Sequence, residues 1–308
     1  MKKKLLFIYN AYAGKGRIRN KLVDILEIFA RNNYDVTVSP TLCHGEAEKV
    51  AEERCGDFQL LVCSGGDGTL DEVVTGVIRS GCQVPIGYIP AGSTNDYGNS
   101  LGLPKNMQAA AQIAVGSQMC RCDVGELEDT IFVYVAAFGA FTEVSYATPQ
   151  EIKNMLGHAA YIIEGMKKLH TIRAYHMKVS ANGEIIEDDF IYGMVTNSVS
   201  IGGFKNNTSA NVVLDDGLFE VTLIKNPKNP IELQNIIASL LIAEFDSKYM
   251  YAFKASEIIF EAESEIPWTV DGEFGGKRKC VKIVNHKQAI SIKVNQKKVY
   301  KLMEQEKI

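Results

Sequence analysis

The sequence predicts an α/β protein in two parts, a doubly wound parallel α/β layer followed by a mainly antiparallel β half. Three observations carry this. Strand and helix patterns alternate through the first 125 or so of the 308 residues. Glycine-bearing loops fall at the ends of three of those strands. After "CRCDVGEL" the pattern changes to strands with few helical interruptions.

The first strand is the short apolar run "KLLFIYN". "NKLVDILEIFARNN" then places Leu22, Ile25, Leu26 and Phe29 on one face of a helix. "YDVTVSPT" reads as a strand, "GEAEKVAEERC" as a largely polar helix and "FQLLVCSGG" as a buried strand. A helix from about Thr69, the strand "VPIGYIP", the loop "AGSTNDYGNSLGLP" and the helix "KNMQAAAQIAVG" complete this part. Strands separated by helices of about ten residues must pair in parallel, with helices on both faces. In the second half, "TIFVYVAAFGAF", "YHMKVSANGEIIEDDFIYGMVTNS", "NVVLDDGLFEVTLI" and "EIIFEAESEIPWTVDGE" are strand-like, and Asn182-Gly183 signals a hairpin. Helical interruptions are expected at about 150–170 and 230–245. The boundary is placed near Asp123 to Gly125, giving domains 1–124 and 125–294, with a helical segment 295–308 returning to the first.

Composition narrows the function classes. With 46% apolar residues the chain can build a real core. A net charge of -4 and a pI near 5.8 disfavour a nucleic-acid binder, and the basic run "GGKRKC" reads as a solvated turn. The apolar stretch Leu5 to Tyr9 is too short for a signal peptide, and "IIASLLIAEF" falls well short of the roughly 20 residues a bilayer span needs. Seven scattered cysteines without a secretory signal point to a reducing compartment and to buried or half-buried thiols. Cys120 and Cys122 are close, but no second Cys/His pair gives zinc spacing.

"SGGDGT" at a strand end, followed by a helix, brings glycine N–H groups and a positive helix terminus to one point, which suits an anion. The plainer reading is a βα turn in which Asp71 and Glu72 complement the helix dipole. Neither GxGxxG nor GxxxxGK[ST] is present at this loop, which disfavours an oxidoreductase or a P-loop NTPase. "NAYAGKG" and "IPAGSTNDYGNS" also follow strands. Lys15 in the first of them is placed either to meet phosphate or as a solvated loop lysine. Three such loops at the carboxyl ends of parallel strands would converge on one crevice, where open α/β sheets bind ligands. "PWTVDGEFGG" reads as a hairpin turn with exposed acids or as part of a site, and "LDDGLFEV" as a turn or an oxygen-ligand metal loop.

In this order the motifs resemble the diacylglycerol kinase catalytic-domain family, in particular bacterial soluble lipid kinases that share a fold with sphingosine kinases. "SGGDGTLDEVVTG", "IPAGSTNDYGNSLGLP", "CDVG", "LDDGLFEV" and "VDGE" carry the likeness across nearly the whole chain. The resemblance implies an NAD kinase-like α/β domain and a C-terminal β-sandwich with ATP between them. Nucleotide contacts would fall on Asn10, Ala11, Tyr12, Ala13, Gly14, Thr41, Gly65, Gly66, Asp67, Gly68, Thr69, Leu70, Asp71, Glu72 and Thr94. Glu273 would accept the proton. Asp67, Asp96 and Asp123 would form an acidic network holding catalytic Mg2+. A structural Mg2+ would take the backbone oxygens of Val213 and Leu218 and the carboxylate of Asp216.

The chain departs from the family at Asp71, commonly Asn, and in the first loop, where Pro and Ser or Thr are common. Asp71 would increase dependence on Mg2+. Of the three acids in the glycine loop, only Asp67 is expected to be indispensable to chemistry. The implied partners are ATP and a lipid alcohol met at a membrane surface, with no nucleic acid and with room for a homodimer. The implied location is the cytoplasm, peripheral at the inner membrane face. An NAD kinase or a catalytically idle nucleotide-binding regulator are the competing readings. Apolar residues in "EIKNMLGHAAYIIEGMKKL" would line an acyl pocket or form a core face, and Lys153, Lys167 and Lys168 would meet anionic lipid.

Overall fold

The computed structural model describes residues 2–140, 173–198, 200–201, 204–205, 212–242 and 246–295. The expected helix at 150–170, its three lysines and the helix in 295–308 therefore lie outside the described residues, Asn295 excepted. Strands β1 (Lys3–Asn10), β2 (Tyr34–Thr41), β3 (Leu60–Gly65) and β4 (Ile86–Pro90) pair in parallel in the spatial order β2-β1-β3-β4. Before β2 come a helical turn, α1 (Ala13–Gly16), and the helix α2 (Leu22–Arg31). Then follow α3 (Glu46–Arg54), α4 (Asp67–Ser80), α5 (Asp96–Ser100) and α6 (Met107–Ala114).

Alternation along the strands explains the two helical layers. Leu6, Ile8, Leu61 and Cys63 point to one face and pack with Ala47 and Ala51 of α3 and Leu70, Val73 and Val77 of α4. Leu5, Phe7, Leu60 and Val62 point to the other, against Ile25 and Phe29 of α2 and Ala110 and Ala114 of α6. The predicted doubly wound layer is thus present, with β1, β3 and β4 buried on both faces.

The second half contains β5 (Met119–Leu127), β6 (Thr130–Phe132), β7 (Val135–Gly139), β8 (Tyr175–Ala181), β9 (Glu184–Thr196), the short pair β10 (Ser200–Ile201) and β11 (Phe204–Lys205), and β12 (Phe219–Lys225). The helix α7 (Pro230–Ile242) precedes β13 (Met250–Ala255), β14 (Glu257–Val270) and β15 (Glu273–Lys293). β9 and β14 each pair with β8 at one end and β7 at the other, closing four strands around a core. Phe138, Phe190, Phe260 and Trp268 fill that core, a sandwich-like arrangement. The Asn182-Gly183 turn joins β8 to β9 with both residues at positive φ, as the hairpin signal predicts.

Several expectations shift. "GGKRKC" runs inside β15 and forms no turn, because its strand continues to pair with β14. Cys43 and Cys280 are exposed, unlike the other five thiols. The loop after β4 contains α5, whose first amide donates to Asp67, 29 positions earlier in the chain.

β15 runs through both halves. It begins against β14, continues antiparallel to β5, and ends beside β4, where Ile292 pairs in parallel with Ile86. The expected boundary at Asp123 to Gly125 falls inside β5, so the chain crosses between halves along a continuous strand.

Candidate active site

The three glycine-bearing loops meet at the carboxyl ends of β1, β3 and β4. Gly14, Lys15 and Gly16 are successive residues at positive φ, which turns the first loop back on itself. A Cβ on Gly14 would lie 1.8 Å from the carbonyl oxygen of Ala91, so first and third loops touch backbone to backbone. The second and third loops touch likewise, since a Cβ on Gly92 would lie 2.6 Å from Gly66 Cα. The Ala91 and Gly92 amides both donate to Gly65 O, at 2.7 and 3.2 Å. The Asn95 side chain clasps Gly92, accepting from its N–H and donating to its carbonyl, each at 2.8 Å. Gly14→Ala is expected to destabilise the protein by about 2 kcal/mol or more, combining left-handed strain with a backbone clash. Thermal unfolding reads the loss, and a wild-type melting temperature would contradict this packing.

Asp67 opens α4 and ties the second loop to the third. Its Oδ2 accepts from Asp96 N at 3.1 Å and its Oδ1 from Tyr97 N at 3.3 Å, capping α5. Burial, reinforced by the charge of Asp96, pushes its carboxyl up to about 7 despite those amides. Neither Asp67 nor Asp71 has an ion pair among the described residues. Thr69 is buried, and Gly65 passes directly beneath it. Leu70 packs into the core.

The acids after Asp67 behave differently from the helix-dipole reading. Glu72 reaches across to α3, accepting from Gly45 N at 2.9 Å and Ala47 N at 3.1 Å, so it caps a neighbouring helix. Asp71 meets Asp271 in a side-chain hydrogen bond. Asp271 is itself buried, accepting from Val133 N at 2.6 Å, Tyr134 N at 3.1 Å and Val135 N at 2.9 Å.

Asp271 and Gly272, both at positive φ, form the two-residue turn between β14 and β15. The turn reading holds, but only Glu273 is an exposed acid. Its carboxylate stands over the start of α4, where a Cβ on Gly68 would lie 3.3 Å from Glu273 Oε1. His44, after β2, stands 3.0 Å from Glu72 and 4.0 Å from Glu273 through its two ring nitrogens. Sequence reasoning missed His44 and the burial of Asp271. A lone loop histidine carries no pattern, and the amides that bury Asp271 are some 137 positions away.

Asn10, with its side chain accepting from Tyr12 N at 2.9 Å, and Thr41, whose hydroxyl donates to Tyr9 O at 3.4 Å, end the paired strands β1 and β2. Tyr12 is exposed under the guanidinium of Arg19, between Ala11 and Ala13. Thr94 is exposed at the tip of the third loop.

Asp123 is fully buried and braces a different loop. Its Oδ2 accepts from Gly217 N at 2.6 Å and its Oδ1 from Gln288 N at 2.7 Å. In that loop Asp216 accepts from Leu218 N at 2.9 Å and pairs with Lys254 at 3.2 Å. The Lys254 ammonium thus stands between two carboxylates, 3.2 Å from Asp216 and 2.9 Å from Glu220, beside the Val213 and Leu218 oxygens that the resemblance assigns with Asp216 to a structural magnesium. Among the described residues no group of three or more His, Cys, Asp or Glu is arranged to hold a metal by itself. The pair Asp67 and Asp96 still fits Mg2+, which commonly takes one or two carboxylates and completes its shell with phosphate and water. No described helix is long and apolar enough to cross a membrane.

Comparison with known proteins agrees with this geometry. The diacylglycerol kinase catalytic domain model matches residues 4–127, and the YegS C-terminal NAD kinase beta sandwich-like domain model matches 135–291. A diacylglycerol kinase of Staphylococcus epidermidis is 31% identical over 280 residues, covering 90% of this chain and 88% of that one. One from Bacillus subtilis (strain 168) is 29% identical over 277 residues, covering 89% and 91%. The crystal structure of a diacylglycerol kinase from Bacillus anthracis str. Sterne superimposes with a TM-score of 0.81 at 26% identity, covering 96% of this chain and 98% of that one. This chain belongs to the diacylglycerol kinase family and is, at that level, a lipid kinase that uses ATP.

Proposed function

We propose that the protein transfers the γ-phosphoryl group of ATP to the hydroxyl of diacylglycerol or a closely related amphiphilic alcohol, with Mg2+, and with Glu273 as general base. The observation that carries this is the position of Glu273, an exposed carboxylate held by a tight hairpin over the glycine-rich start of α4. The first-turn N–H groups of a helix have no intrahelical acceptor, so nucleotide phosphates suit that point. A hydroxyl between the phosphates and Glu273 can lose its proton to the carboxylate as its oxygen attacks. Mg2+, held by Asp67 and Asp96, would neutralise charge on the transferring group. Diacylglycerol as acceptor is supported by the names of the relatives.

The test is labelled ATP offered with diacylglycerol in mixed micelles, with a panel of other lipid alcohols, and with NAD. Phosphatidic acid as the principal product is expected. Label in NADP would favour the NAD kinase reading, and no product with any acceptor would favour an idle nucleotide-binding protein.

Protons and Mg2+ compete for Asp67, because the metal binds the ionised form. With a carboxyl at about 7, apparent Mg2+ affinity in ATP binding should rise by up to about tenfold per pH unit below that value and level off above it. Titration calorimetry at several pH values measures this, and a flat profile from pH 5 to 8 would remove Asp67 as a ligand.

A further inference from the structure

We infer that Asp71 works as a neutral carboxylic acid that donates a hydrogen bond to Asp271, and that this contact positions the hairpin bearing Glu273 over the start of α4. What the hairpin positions rests on the function proposed above; the contact itself does not.

Asp271 already accepts from three backbone amides, at Val133, Tyr134 and Val135. Burial raises the Asp271 carboxyl to about 6, and the three donors aimed at it oppose that rise and favour its ionised form over that of Asp71. Asp71, arriving from α4, hydrogen-bonds to that same side chain. Two ionised carboxylates have only acceptors, so this bond requires a proton, and the donors around Asp271 leave it on Asp71. Asp71 Oδ1 is sealed from solvent and has no hydrogen-bond donor among the described residues. An ionised Asp71 would therefore have an uncompensated buried charge.

The groups facing this pair come from every side of the crevice. The hairpin contributes Asp271 and Glu273, α4 contributes Asp67 and Glu72, α5 contributes Asp96, and the link from β6 to β7 contributes the buried phenol of Tyr134. His44 engages the outer acids Glu72 and Glu273. The inner groups are acids or neutral, so the local field retains the proton, and burial followed by the charge of Asp271 raises the Asp71 carboxyl well above the ordinary range. Glu273 is paired with Val270 across the turn, so fixing Asp271 fixes its direction.

The sign of the linkage is definite. The folded protein holds a proton that the unfolded chain releases, so this contribution to stability is full below the ordinary carboxyl pKa and is lost as pH rises toward the raised one. Asp71→Asn offers an amide donor that cannot ionise, and Asp71→Leu offers neither donor nor charge. Chemical denaturation of the ligand-free protein from pH 5 to 9 should show the wild-type unfolding constant increasing by up to about tenfold more per pH unit than that of Asp71→Asn. Equal slopes would overturn the shared proton, whether or not the protein phosphorylates lipid.

In the kinase assay, kcat profiles normalised to each variant's own maximum should fall at alkaline pH for the wild type and stay level for Asp71→Asn. Asp71→Asn should also exceed Asp71→Leu in kcat by tenfold or more, with KM for ATP changing less than kcat. An Asn variant as impaired as the Leu variant would overturn the positioning role. If the wild type phosphorylates no lipid, the denaturation slopes still decide the contact, and only the function proposed above fails.

Discussion

Replacing Glu273 by Gln is expected to lower kcat for lipid phosphorylation by about 100- to 10,000-fold, the usual worth of a positioned general base. ATP affinity should stay within about threefold of wild type, because the interaction lost belongs to the transition state. The expectation rests on the setting of Glu273. It follows a two-residue turn whose other acid is locked by three amides, so the backbone places the side chain rather than the reverse. The side chain is 61% exposed, and Gln keeps its size, so stability should change by no more than about 0.5 kcal/mol. A Gln variant as active as wild type would remove Glu273 from proton transfer, and one that no longer binds ATP would show that the carboxylate serves the nucleotide site.

Removing the Asp67 carboxylate should have the second large effect, and two variants separate its capping of α5 from the metal binding proposed for it. Asp67→Ala leaves the Asp96 and Tyr97 amides without their acceptor, a loss on the order of 1–3 kcal/mol for a buried donor. It also unties the second glycine loop from the third. Asp67→Asn keeps an oxygen that can accept from one of those amides, so it should recover much of the stability. It should not recover Mg2+-dependent ATP binding, because a neutral amide is a poor substitute for a carboxylate on a hard cation. Thermal unfolding and ATP titration across Mg2+ concentrations read the two roles separately. Unchanged metal dependence in the Asn variant would place the metal elsewhere.

Much of the architecture was legible because it rests on local periodicity. Leu22, Ile25 and Phe29 mark the buried face of α2, and Asn182-Gly183 marks a turn, without reference to the rest of the chain. The convergence of three loops was legible too, since parallel strands joined by helices must bring their carboxyl ends to one side. What was not legible depends on partners distant in sequence. The α5 helix has its cap at Asp67, 29 positions before its first residue. Glu72 reads as an ornament of its own helix until α3 is seen to present bare amides to it. Asp271 reads as an exposed turn acid until the chain at Val133 to Val135 folds its amides onto it. The Asp71 to Asp271 contact was the least accessible, since sequence records a residue type and not whether it holds a proton.

The course of β15 has a consequence for how the protein emerges from a ribosome. The outer edge of β4 is paired through Ile86 with Ile292, roughly 200 residues downstream, and β5 likewise depends on β15 along most of its length. At about 5–20 residues per second, the nascent parallel layer waits on the order of 10–40 seconds for the strand that completes it. Throughout that interval an apolar strand edge is open to other chains. A chaperone bound to that edge, or closure of the layer delayed until β15 arrives, would shield it during that interval.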